Sequence, residues 1–438
     1  MRRPKGDNRW ALGTPGKVAS FMKQVISGVM IVLTAAVLAV PAAVQAQFGY
    51  ETNADGSIYT YSTNADGSIT IAAYSGPPWA ITIPTNINGL VVTSIGNGAF
   101  EGLTNLTGIA IPGSVTNIRD LAFELCYRLT NASLADGVLS IGSNAFESCT
   151  SLTSVTLPST VTSIGGSAFF WCISLPTIVL PGSVTNMGDS VFGNCYRLTN
   201  ATFANGLLSI GDSAFSGCIS LTSVAIPGSV TNVGDSAFAG CNSLTNLTIP
   251  TSLTSIGNSV FESCAALPNV TIPGSVTSLG SEAFGDCGDL SNVTIPASVT
   301  NFAADAFAGC LHSTNLYFQG NAPSISPRNG PNIGPPLTGT VYYLPATTGW
   351  SNSFDGCPAV LWNPLIQTGD GSFGVRNNQF GFNITGTTNI PIVVEASTSL
   401  AGPVWTPVQS LTLTNGSYYF SEPFQPVGSQ RYYRISSQ

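Results

Sequence analysis

The stretch Val230 to Ser252, "VTNVGDSAFAGCNSLTNLTIPTS", decides how this chain folds. Within it Leu244-x-x-Leu247-x-Ile249 alternates as a short strand would, and Pro250 ends the strand where no ladder amide is required. Val230 and Val233 supply a second apolar edge, and Ala237 with Phe238 a third. A unit of this length cannot enclose a core alone, so it must stack on copies of itself. The copies are there: Phe100, Phe123, Phe146, Phe169, Phe192, Phe215, Phe238, Phe261, Phe284 and Phe307 follow one another without an insertion or deletion. Three residues after each stands Leu103, then Cys126, Cys149, Cys172, Cys195, Cys218, Cys241, Cys264, Cys287 and Cys310.

The cysteine column admits several chemistries, and periodicity separates them. A nucleophile would not need the same residue nine times, and no base repeats with it. Zinc requires ligands converging tetrahedrally, whereas a straight stack presents them in a line. Disulfides fit an oxidising compartment and the spacing between rungs, but the ladder is odd-numbered and its neighbours are apolar. The column therefore predicts buried, reduced thiols acting as small hydrophobes. A glycine column (Gly96, Gly142, Gly165, Gly188, Gly211, Gly234, Gly257, Gly280) predicts a positive-φ turn or a close backbone approach. The column after it, rich in Asp, Asn and Ser, predicts N-caps placed before a short Ala-Phe helical turn.

The pattern L-x-x-V-x-I-P-x-S-V-T-S-I-G-x-x-A-F-x-x-C resembles the BspA-type (Treponema pallidum-type) leucine-rich repeat family. The resemblance spans about residues 90 to 320 and implies an exported or surface-exposed solenoid with a role in adhesion or protein binding. The expected fold is a mainly β repeat solenoid with short helical or 3-10 turns, an arc with a parallel concave sheet, followed by a small C-terminal β-sandwich.

Composition agrees with that class of role. Only 8% of the 438 residues are charged, there is one histidine, and no lysine follows position 23. Residues 22 to 46 read as a secretory signal, a lysine followed by an apolar run and a small-x-small end, with cleavage expected after Ala46 and Met1 or Met22 as the start. Removing residues 1 to 46 leaves 7 arginines against 20 acidic residues. So acidic a surface disfavours nucleic acid and anionic lipid, and no further segment is long and apolar enough to span a bilayer.

The ends depart from the repeat. Residues 47 to 89 carry "TNADGSI" twice, and Asp55-Gly56 and Asp66-Gly67 predict hairpin turns in a β cap. "NLYFQG" at 315 to 320 aligns with the repeat strand and is native sequence. Residues 321 to 363 read as a Pro/Gly-rich loop and a degenerate capping coil, because Phe354 and Cys357 keep the Phe-x-x-Cys spacing. Residues 364 to 438 read as short alternating strands of a β-sandwich, similar to tail modules of exported bacterial proteins.

Catalysis finds little to work with. A triad would have to use His312, at the frayed end of the ladder, and the acids occupy turn columns with nothing to mark a cleft. No cofactor or metal is expected. Binding is therefore sought on the outward residues of the concave strands, most uniform at Asn246, Thr248, Asn269, Thr271, Asn292, Thr294, Asn315 and Tyr317. An extracellular protein or glycan is the expected partner, and the chain is expected to be monomeric. A secreted hydrolase or carbohydrate-binding subunit, and an inert envelope spacer, are the alternatives.

Overall fold

The computed structural model describes residues 48–310, 314–327, 339–424 and 430–436, and the signal segment and His312 lie outside them. The described chain begins with an antiparallel meander, Phe48–Thr52, Ile58–Thr63 and Ile69–Ser75. Its two turns form where the Asp-Gly pairs stand, with Asp55 and Asp66 accepting the amides of Ser57 and Ser68 at 2.9 Å. The third strand pairs in parallel with Leu90–Ile95, and Tyr74 at its end stacks on Phe100 at 5.3 Å, closing the first coil.

From there each coil contributes a longer strand, such as Asn131–Leu134, and a two-residue strand, such as Ser140–Ile141. Both build parallel ladders on the equivalent strands of neighbouring coils. Inside the stack the ten phenylalanines form one continuous column, with successive ring centroids 5.1 to 5.6 Å apart and planes within 18° of parallel. Offset stacking at this separation is favourable beyond the area it buries.

The longer ladder is interrupted twice, between Ser154–Thr156 and Thr177–Leu180 and between Asn246–Thr248 and Asn269–Thr271. Both breaks follow from the sequence. Before most of the longer strands a Thr amide bonds the equivalent carbonyl of the preceding coil, as in Thr130 to Thr107 and Thr153 to Thr130, each at 2.9 Å. At the two breaks that position is Pro176 and Pro268, which have no amide to give.

Two expectations about the turns change. No helix occurs among the described residues. The Ala-Phe segment closes i+3 turns, but the Phe amides bond the next coil's carbonyls, as in Phe123 to Ala145 at 2.8 Å, so pairing between coils replaces a helical run. The Asp/Asn column likewise caps its neighbour rather than its own turn: Asp189 accepts from the amide of Asp212, Asp212 from Asp235, and Asp235 from Asn258, at 2.8 to 3.0 Å. Of the two reasons for the glycine column, close approach is the operative one. A Cβ on Gly142 would lie 2.6 Å from the Arg119 carbonyl carbon of the previous coil.

Phe354 and Cys357 do not repeat the Phe-x-x-Cys turn. Asp355 and Gly356 both have positive φ, 48° and 82°, and join Ser353–Phe354 to Cys357–Leu361 as an antiparallel hairpin. Cys357–Leu361 still extends the longer ladder, pairing in parallel with Val341–Tyr343. Two antiparallel sheets follow. One holds Leu365–Gln367, Gly374–Arg376, Gln379–Thr385 and Ser417–Pro423, and the other Ile390–Ser397, Thr406–Leu413 and Tyr432–Ser436. Phe382, Ile384, Ile392, Val394, Leu413 and Phe420 form their common core, which also takes in Tyr317 and Tyr342 of the last coils.

Candidate functional site

Strand alternation sends one set of side chains inward and leaves the other in solvent. Val270 and Val293 are buried, while Asn246, Thr248, Asn269, Thr271 and Thr294 are exposed and Asn292 and Asn315 half-buried. Register brings Asn269, Asn292 and Asn315 side by side, and Asn315 donates through Nδ2 to Asn292 Oδ1 at 3.2 Å. Asn246 and Thr248 belong to the sheet that ends before Pro268, so a ladder break divides the row. Further along the same face Val179 is 61% exposed, an isolated apolar point among hydroxyls and amides.

Tyr317 corrects the expected site. It stands in register with Thr294 and faces the same way, yet it is only 6% exposed. The C-terminal sheets cover it and Tyr342, which stacks on it at 4.9 Å. Burial pushes its phenol pKa up, and among the described residues its hydroxyl has no hydrogen-bond partner. The threonine column of the row is therefore open only as far as Thr294, while the asparagine column runs one coil further to half-buried Asn315. At Thr294 the row meets a cleft of about 250 Å³ lined by Thr294, Tyr317, Gln319, Tyr342, Trp362 and Ile435, among others. Trp362 spans the junction, donating its indole N–H to the Pro391 carbonyl at 2.9 Å.

The cysteine ladder is buried throughout and holds no disulfide. Each thiol lies 3.2 to 3.5 Å from the phenylalanine carbonyl of the preceding coil, as Cys218 does from Phe192. The same carbonyl accepts the amide of its own coil's cysteine, as Phe192 does from Cys195. The column is thus a ladder of weak S–H donors as well as a set of small hydrophobes. In the first coil no phenylalanine precedes, Tyr74 holds that place in the stack, and Leu103 suffices. Burial raises the Cys195 thiol to about 12 and the Cys218 thiol well above its usual value. Thiolate chemistry is disfavoured at both.

Carboxylates of successive coils stand in columns, as Glu101, Glu124 and Glu147 do. Burial, then the neighbouring charges of Glu147 and Glu101, raises the Glu124 carboxyl pKa from its usual value. A second cleft, of about 280 Å³ beside Trp79 and Tyr74, contains Asp55 as its one acidic side chain. Among the described residues no group of three or more His, Cys, Asp or Glu is arranged to hold a metal ion. Nor is any helix there long and apolar enough to cross a membrane.

Sequence reasoning missed three structural roles that the columns had marked without explaining. The threonines before the longer strands bond the previous coil through hydroxyl as well as amide, as Thr130 does to the Thr107 carbonyl at 2.8 Å. The serines of Ser229 type reach back to carbonyls such as that of Leu207, at 2.7 Å. The thiols do the same from inside the stack.

Comparison with known proteins agrees with this architecture. The profile of the BspA type leucine rich repeat region matches residues 79–199 and 187–314, in six copies. A leucine-rich repeat protein from Bacteroides ovatus is similar at 28% identity, covering 64% of this chain and 71% of its own, with a TM-score of 0.55. The T. pallidum leucine rich repeat protein is 31% identical over 42% of this chain and 87% of its own, with a TM-score of 0.40. A leucine rich cell surface protein from Faecalibacterium prausnitzii is 25% identical over 62% of this chain and 95% of its own, with a TM-score of 0.36. Among curated proteins none matches the chain. With more than half of its residues matched by the repeat profile, and with the coils that profile describes, the chain belongs to the BspA-type leucine-rich repeat family.

Proposed function

We propose that this chain is an exported, non-catalytic binding protein that presents the row Asn246, Thr248, Asn269, Thr271, Asn292, Thr294 and Asn315 to an extracellular protein or glycan at the cell surface. The observation that carries the reading is the row itself: neutral donors and acceptors repeated coil by coil on two successive parallel ladders, unobstructed as far as Thr294. A ladder of this kind suits a ligand that is itself repetitive and hydrogen-bonding, because each coil adds a similar contact. The net negative charge turns anionic ligands away, leaving short-range hydrogen bonding to select among neutral partners. The segment 22–46 supports export, with removal after Ala46, and the protein acts as a monomer.

Retention of the purified protein on arrays of extracellular proteins and glycans is the direct test. Substituting Asn269→Arg together with Asn292→Arg places bulk and charge on the row without touching the core. It is expected to abolish the retention seen for the parent chain. Retention unchanged by the pair, or turnover of an arrayed substrate, overturns the reading.

A further inference from the structure

Resting on the reading of the Asn/Thr row as the ligand-facing surface, we propose that the cleft closing this row is the terminal subsite for one uncharged sugar ring of a glycan lying along it. Four observations converge. No charged side chain lines the cleft among the described residues, so an ionised ligand would lose water there without compensation. Its walls are aromatic. Trp362 is half-buried and has already committed its N–H to Pro391, so it offers ring surface rather than a new donor, and the stacked pair of Tyr317 and Tyr342 backs the cleft.

A pyranose suits such walls because its C–H faces are apolar while its rim is hydroxylated. The third observation is the Tyr317 hydroxyl, buried and without a partner in a residue that lines this cleft. A buried unpaired hydroxyl is costly, and a sugar hydroxyl, able to donate or accept, relieves it. Gln319 at the exposed rim adds an amide that both donates and accepts. Fourth, at about 250 Å³ the cleft is smaller than the pockets that enclose drug-sized ligands, which limits it to a single ring. Thr294 belongs both to the cleft and to the open row, so a glycan whose end sits here continues onto Thr271 and Asn269.

The test is titration calorimetry of the full chain with neutral tetrasaccharides of glucose, mannose, xylose and N-acetylglucosamine, followed by variants on any that bind. Tyr317→Phe removes the hydroxyl and keeps the ring. It is expected to weaken binding about tenfold, the scale of one hydrogen bond, while leaving the melting temperature unchanged or raised. Gln319→Ala, at the exposed rim, is expected to weaken binding several-fold. Unchanged affinity in both variants overturns the subsite. So does binding confined to charged glycans or to proteins. If Asn269→Arg with Asn292→Arg abolishes binding while both cleft variants keep it, the row stands and the subsite falls. Failure to retain any glycan or protein removes both.

Discussion

Phe215 and Cys218 show how a single position serves two coils at once. Phe215 lies between Phe192 and Phe238, each 5.3 Å away, and is fully buried. Truncation to alanine should cost about 3 to 5 kcal/mol in urea unfolding, because the fixed rungs on either side cannot collapse into the space. The thiol contribution should be visible as a pH dependence. The folded state holds the Cys195 proton up to about 12 and the Cys310 proton up to about 11, while the unfolded chain releases both near 9. Above pH 9 the folded state therefore binds more protons than the unfolded one, and stability falls as pH rises. The slope approaches about 1.4 kcal/mol per pH unit for each thiol that titrates only on unfolding. Melting temperature followed from pH 7 to 11 should drop steeply above pH 9, and a flat profile would contradict the buried ladder. In denaturant without reductant, thiol titration should recover most of the ten cysteines.

At the level of the element, what joins one coil to the next is a set of hydrogen bonds that a single coil's sequence does not display. Asp235 accepts the amide of Asn258 at 2.8 Å and its side-chain Nδ2 at 3.0 Å. Asp235→Ala should cost about 1 to 2 kcal/mol by leaving that amide to solvent, and Asp235→Asn should recover part of it. The proline breaks make a sharper prediction. Pro176→Thr restores the amide that would face Thr153, so hydrogen exchange at Thr177 and Ile178 should slow. The change in overall stability should stay within about 1 kcal/mol, since losing proline also loosens the unfolded chain. Exchange as fast as in the parent protein would show that the break has another cause.

For the whole molecule, the junction between the last coils and the C-terminal sheets governs where the open face ends. Tyr317 and Tyr342 are buried only because those sheets lie on them. A chain ending at residue 363 should therefore expose two stacked tyrosines and an aromatic edge, and should self-associate more strongly than the full chain when the two are compared by light scattering. A monomeric truncated chain with unchanged tyrosine emission would contradict this account.

Sequence alone determined the coil, because its constraints recur at a constant interval: Phe and Cys must be apolar and small enough to stack, and the Leu-x-x-Leu-x-Ile strand must alternate. The Asp-Gly pairs were equally legible, since their turn chemistry is local. Tertiary structure alone decided which partner each column serves. Asp189 bonds Asp212, and Cys218 bonds Phe192, across a gap of one coil that no pattern within the unit reveals. It also decided the site, for Tyr317 continues a row of exposed threonines in sequence yet is covered by the C-terminal sheets, whose core holds Phe382 and Phe420. Contacts that repeat leave a period in the sequence. The seat of the C-terminal sheets on the final coil occurs once, and only packing brings its residues together.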